Sequence, residues 1–97
     1  MADLRFDWDP RKAATNLAKH GVAFAEAITA FRDEWAFVLA DPDHSEIEAR
    51  FVLLGLSAER RVLVVVHCVR ESGQVVRVIS ARPASRRERT QYRERNT

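Results

Sequence analysis

Three stretches of this chain bring together side chains able to move a proton or to hold a phosphate. The first is Asp41-Pro42-Asp43-His44-Ser45-Glu46-Ile47-Glu48-Ala49-Arg50, which sets many ionisable types within ten residues. His44 titrates near neutrality and could pass a proton, or it is a plain loop histidine. Glu48 and Arg50 alternate with Ala49 and Phe51 on the outgoing strand, so both should face the same way. Asp41 and Asp43 resemble the opening of a calcium loop, but the glycine and distal glutamate of such a loop are missing, and no metal is expected. The second stretch is Lys19-His20. His20 either closes the first helix, where the dipole favours its protonated form, or serves a site, while Lys19 reads as solvated.

The third stretch is the run from 75 to 95, in which the last strand passes directly into a basic helix. Arg70, Arg77 and Arg82 lie on or next to the last two strands. A guanidinium held on a sheet can clamp a phosphate bidentately and stabilise charge that develops in phosphoryl transfer, and Arg82 is the leading candidate. Strict alternation puts Arg77 with Ile79 and Ala81 on one face, and Val76, Val78, Ser80 and Arg82 on the other. Both faces mix polar and apolar residues, so parity leaves open which is solvated. Beyond the strand, Ser85-x-x-Glu88 fits a capping box, which gives Glu88 a structural role. Arg86, Arg89 and Arg93 recur at helical spacing. Tyr92 is the only large apolar residue of that helix, so the helix is either a solvated surface or a contact for RNA phosphates or an acidic partner.

The elements that must position these groups are legible from periodicity and caps. Arg5-Phe6-Asp7 reads as a short strand. Asp9 as N-cap and Pro10 at N1 start a helix that Gly21 ends, with Ala13, Ala14, Leu17 and Ala18 as its apolar stripe. Phe24, Ala27, Ile28 and Phe31 share one face of a second helix over 23–32. Strands are expected at 35–39, 49–56, 61–69 and 74–81, the last three joined by hairpin-length connections. The run Val62-Leu63-Val64-Val65-Val66 is apolar on both faces and belongs at the sheet centre, covered by helices on one side. His67 reads as a core histidine bonded to a neighbour, and Cys68 as a buried, inert thiol. The expected architecture is α+β, an antiparallel sheet with two N-terminal helices and a C-terminal helix, in the order β-α-α-β-β-β-β-α.

Bulk composition narrows the function classes. At 97 residues, 46% hydrophobic and 31% charged, the chain is one small globular domain. Residues 1–50 carry six basic and ten acidic side chains, whereas residues 51–97 carry ten basic and four acidic. The C-terminal half therefore presents a guanidinium-rich surface suited to a polyanion, most commonly nucleic acid. No apolar run is long enough to span a bilayer, and the opening residues show no signal-peptide core, so a cytoplasmic location with no membrane partner is expected. Gly21, Gly55 and Gly73 are the only glycines, which leaves no phosphate loop of the nucleotide-binding kind, and no cofactor is expected.

Four segments in register resemble the BrnT toxin family: Phe6-x-Trp8-Asp9-Pro10-x-Lys12; Asn16-x-x-Lys19-His20-Gly21-Val22-x-Phe24-x-Glu26-Ala27; Asp41-x-Asp43-His44-Ser45-x-x-Glu48-x-Arg50-Phe51; and Ile79-Ser80-Ala81-Arg82-x-Ala84-x-x-x-Glu88. The resemblance spans about residue 5 to residue 93. It implies a RelE-like fold and a ribonuclease toxin of a type II toxin–antitoxin pair that stops translation. It also implies a BrnA-like, DNA-binding antitoxin as partner, with operator DNA reached only through that antitoxin. RelE-like chemistry needs no metal: the RNA 2′-OH attacks the adjacent phosphate, a base removes its proton and arginines stabilise the pentacoordinate charge. Carried onto this chain, Arg82 is the first choice for phosphate stabilisation, with Arg50 and Arg77 behind it. His44 or Glu48 would supply proton transfer, and Lys19, His20, Arg77, Arg86 and Tyr92 would contact RNA. Pro83, just after Arg82, and His67-Cys68 in the central strand depart from the commoner pattern. The competing expectations are a non-catalytic RelE-like module that binds protein or nucleic acid, and a plain nucleic-acid-binding domain.

Overall fold

A computed structural model of the chain describes residues 4–41 and 48–95. The elements are β1 (Arg5–Asp7), α1 (Pro10–His20), α2 (Phe24–Ala27) continued by a 3-10 segment (Ile28–Arg32), β2 (Phe37–Ala40), β3 (Arg50–Leu56), β4 (Val62–Arg70), β5 (Val75–Pro83) and α3 (Arg86–Arg95). The order agrees with the sequence expectation, but the sheet is mixed rather than antiparallel. Its strands run β1-β5-β4-β3-β2, and β1 pairs with β5 in parallel. A three-residue strand followed by helices returns beside the last strand, and nothing in its own residues specifies that partner. β4 is central, as its two-sided apolar run predicts.

α1 starts and stops as read. Asp9 accepts a hydrogen bond from the Arg11 N–H, and Gly21 closes the helix at φ 70. Of the stripe expected only Ala13 packs against the core. Leu17 is half exposed, Ala14 and Ala18 are exposed, and the buried residue is Asn16. The cause is backbone left over at β5: β1 ends at Asp7, so β5 beyond Arg77 has no strand on that side. Asn16 takes the place of one. Its Nδ2 donates to the Ala81 and Val22 carbonyls at 2.8 and 3.0 Å, and its Oδ1 accepts from the Ala81 N–H at 3.0 Å.

The second helix tightens into a 3-10 turn, which stacks Phe24, Ala27 and Ala30 at intervals of three on the core. Gly55 permits this approach, since a Cβ there would stand 2.8 Å from the Ala30 carbonyl oxygen. β2 begins two residues later than expected because the Asp33 carboxylate accepts the Trp35 N–H and holds the chain in a turn.

The sheet has two unlike faces. One carries Leu53, Leu63, Val65, Val78 and Ala81 against Val22, Phe24, Ala27 and Ala30, which together form the core. His67 lies on this face, buried with its ring 4.9 Å from that of Phe31. The other face carries Leu54, Val64 and Val52 at one end, where Ala84 and, from α3, Tyr92 cover them.

Candidate active site on the second face of the sheet

Register collects the arginines. Arg50 pairs with Cys68, Cys68 with Arg77, and Arg77 with Asp7, so one row crosses β3, β4, β5 and β1. The next row holds Val52, Val66 and Ser80, and the one after it Leu54, Val64 and Arg82. Strict alternation had separated Arg77 from Ser80 and Arg82. The structure overturns that reading with a bulge: His67 opposes Val78, Val66 opposes Ser80, and Ile79 is left unpaired. One extra residue flips everything beyond it, so Arg77, Ser80 and Arg82 share a face while Val78 and Ala81 share the core. Two strand spacings put the Arg50 and Arg77 backbones about 10 Å apart.

The electrostatics of this face are set by pairs. Arg82 donates from Nη1 and Nη2 to Glu88 at 2.7 and 2.8 Å. Glu88 also accepts the Ser85 N–H, and its own N–H donates to Ser85 Oγ, which completes the expected capping box. The Arg82 guanidinium and the cap hold the Glu88 carboxyl down at about 2. With Glu88 on the Nη1/Nη2 end, the Nε/Nη2 edge of Arg82 is taken by no described residue. Glu48 accepts two bonds from Arg70, at 2.8 and 3.1 Å, and that guanidinium holds its carboxyl below the usual range. Arg77 lies 3.4 Å from the Asp7 carboxylate. Burial pushes the Cys68 thiol up, as does the nearby Glu48 carboxylate, consistent with an inert thiol.

Lys19 and His20 are on the other side of Ser80. They line a groove between α1 and β5 with Arg11, Lys12, Thr15 and Ser80. Arg86 is exposed at the first position of α3. Tyr92 is more firmly held than a free RNA contact would be: it is half-buried and its hydroxyl donates to Asp33. Burial raises its pKa, and the Asp33 carboxylate adds to the shift. His44 lies outside the described residues. His67 is removed from this face altogether, because it points into the core with Nδ1 3.2 Å from the Val65 carbonyl and is kept neutral by burial. Among the described residues no three His, Cys, Asp or Glu side chains converge as a metal-ligand set.

Residues 8–88 match the family model described as the ribonuclease toxin BrnT of a type II toxin–antitoxin system. The chain belongs to the BrnT family. It is also similar to the Brucella abortus ribonuclease toxin BrnT, whose crystal structure superposes with a TM-score of 0.65 at 26% identity, covering 86% of this chain and 99% of that one. No curated protein matches the chain. BrnT membership accounts for the resemblance of the four segments and supports a toxin with an antitoxin partner.

Several supporting residues were not foreseen. Glu26 is buried and accepts from Arg61 Nε and Nη2 at 2.8 and 2.6 Å and from the Ser57 hydroxyl at 2.7 Å. Arg61 holds its carboxyl low despite burial. Asp33 accepts from the Leu56 and Trp35 N–H groups as well as from Tyr92. Burial alone would raise its carboxyl, but these donors hold it below the ordinary range. The segment Glu26-Ala27 carried the only warning of the first, an acid beside a core position. Asp33 carried little, since only Trp35 is a near neighbour and its other partners are 23 and 59 residues away.

Proposed function

We propose that this BrnT-family chain is an endoribonuclease that cuts RNA by metal-independent attack of the 2′-OH on the adjacent phosphate, and so inhibits translation in the cytoplasm. The observation that supports this most is the register that sets Arg50, Arg77 and Arg82 around Ser80 on one sheet face. The free Nε/Nη2 edge of Arg82 would clamp two oxygens of the scissile phosphate while Glu88 fixes the guanidinium from its other end. Arg50 and Arg77 would supply the rest of the positive field. Glu48 is a weak base while Arg70 holds it, which moves the weight of proton abstraction to His44, with Lys19 and His20 as neighbouring cations for the RNA. Arg86 and Tyr92 would extend the contact along α3. The products would carry a 2′,3′-cyclic phosphate and a 5′-OH. The fold is read as RelE-like, and the antitoxin as a BrnA-like DNA-binding protein that covers this face and alone reaches operator DNA.

A second reading is a non-catalytic binding module. It is favoured by the two ion pairs, Arg82–Glu88 and Arg70–Glu48, which engage two of the four catalytic candidates. Incubating the antitoxin-free chain with mRNA in EDTA separates the two. Cleavage to cyclic-phosphate ends is expected, and intact RNA at high protein concentration favours the module. Cleavage only on addition of Mg²⁺ overturns the mechanism but not the activity.

A further inference from the structure

We propose that the groove between α1 and the bulged edge of β5 is a phosphate subsite for single-stranded RNA, distinct from the arginine face and holding the backbone at least one nucleotide from the bond that is cut. The inference rests on the ribonuclease reading and deepens it, by naming the form of RNA the site takes.

The groove is built by the departure from regular pairing described above. β1 stops at Asp7, Asn16 caps β5 at Ala81, and Ile79 bulges between them. What remains is a hollow of about 310 Å³ with α1 as one wall and Ile79-Ser80 as the other. The helix offers it two adjacent stripes at four-residue spacing, Arg11-Thr15-Lys19 and Lys12-Asn16-His20. Asn16 spends its amide on backbone, so the stripe is anchored at its middle and Lys12 and His20 on either side of it line the hollow. Arg11, Lys12, Lys19 and His20 line it together with two hydroxyl-bearing residues, Thr15 and Ser80, and no acidic residue does.

Cations interleaved with hydroxyls suit phosphate oxygens. A protein partner would need an apolar anchor, and Ile79 is the one large apolar residue in the lining. The volume takes a phosphate and its sugar but not a duplex. Continuity decides where the strand runs. Ser80 lines the groove and also stands on the arginine face between the Arg77 and Arg82 rows, so a strand seated on one reaches the other across a single residue.

The test is binding of a 2′-O-methyl decaribonucleotide, which cannot be cut, to the full chain and to an R11A/K12A variant. Both side chains are exposed, and circular dichroism checks that the fold is retained. Binding is expected to weaken about tenfold, and the slope of log K against log salt to fall by about 1.4, two single-strand phosphate contacts. An affinity and slope equal to those of the unmodified chain overturn the subsite, as does loss of binding to polyglutamate with RNA binding intact, or equal loss of binding to a duplex of the same length. The ribonuclease reading fails separately. Intact mRNA with the tenfold loss retained leaves the groove standing, whereas normal cleavage with no loss removes the groove alone.

Discussion

The two faces of the sheet are made from the same strands and have opposite fates. On the closed face β3, β4 and β5 contribute Leu53, Leu63, Val65 and Val78 to a core sealed by α1, α2 and the 3-10 turn. On the second face the same strands contribute Arg50, Arg77, Ser80 and Arg82, and α3 covers only the Leu54–Val64 end. A histidine and a cysteine adjacent in sequence are parted by this arrangement. His67 goes to the core among Phe31 and Phe51, and Cys68 to the arginine row. The lesson is that the core and the proposed site lie on opposite faces, linked by the Arg82–Glu88 pair, so most mutations can be assigned to one or the other.

The sharpest break of that separation should come from Phe24→Ala. The side chain is almost fully buried and its ring meets Trp8 edge-on at 5.9 Å. A loss of about 3–5 kcal/mol is expected in urea unfolding, with no RNA-specific effect in whatever remains folded. Arg82→Ala tests the other side. Cleavage rate should fall about 10²–10³-fold, the range for removing one transition-state donor, far more than the modest loss of urea midpoint expected from freeing Glu88 of its partner. Arg82→Lys should restore less than a tenth of the lost rate, because a point charge cannot replace the fork. If both variants cleave normally, the arginine face is not the active site.

Asn16→Leu probes the seam where the faces meet. It keeps volume but leaves the Ala81 N–H and two carbonyls without their partner, which should cost about 1–3 kcal/mol. A stability equal to that of the parent would show that water can do the work of the amide.

Much of this division could be read in the sequence, and the rest failed for identifiable reasons. Local signals succeeded: the Asp9-Pro10 start, the Gly21 stop, the Ser85–Glu88 box and the central apolar strand all depend on neighbours within a few residues. Parity failed at one point, Ile79, because a bulge is a two-strand property and nothing in Val78-Ile79-Ser80 announces it. That single slip decided whether Arg77 and Arg82 shared a face. The apolar stripe of α1 held only at Ala13, because the helix covers a strand edge and answers unpaired backbone with Asn16 rather than with leucine. Arg82 was singled out, but its tether to Glu88 was not, since the carboxylate was assigned wholly to the cap and serves both.

The smallest effect expected is a division of acid sensitivity between the faces. Burial lowers the His67 pKa in the folded chain, so the unfolded chain binds more protons and stability rises with pH. Its contribution is complete above the ordinary histidine value of about 6.5 and is lost as pH falls below it toward the lowered value. Glu88, pulled to about 2, acts in a lower window: its contribution is complete above the ordinary glutamate range and is lost as pH falls toward 2. His67→Phe should therefore flatten the urea midpoint in the window just below about pH 6.5 while leaving the acid limb, since an aromatic ring can fill the space beside Phe31 and Phe51. Glu88→Gln should soften the acid limb only, and only in part, because Glu26, Asp33 and Glu48 are also held low and titrate with it. The comparison is made between variants rather than on absolute values, so it isolates each group from the other two histidines. If His67→Phe changed the acid limb instead, the histidine would be reporting on the arginine face, and the two faces would not be independent.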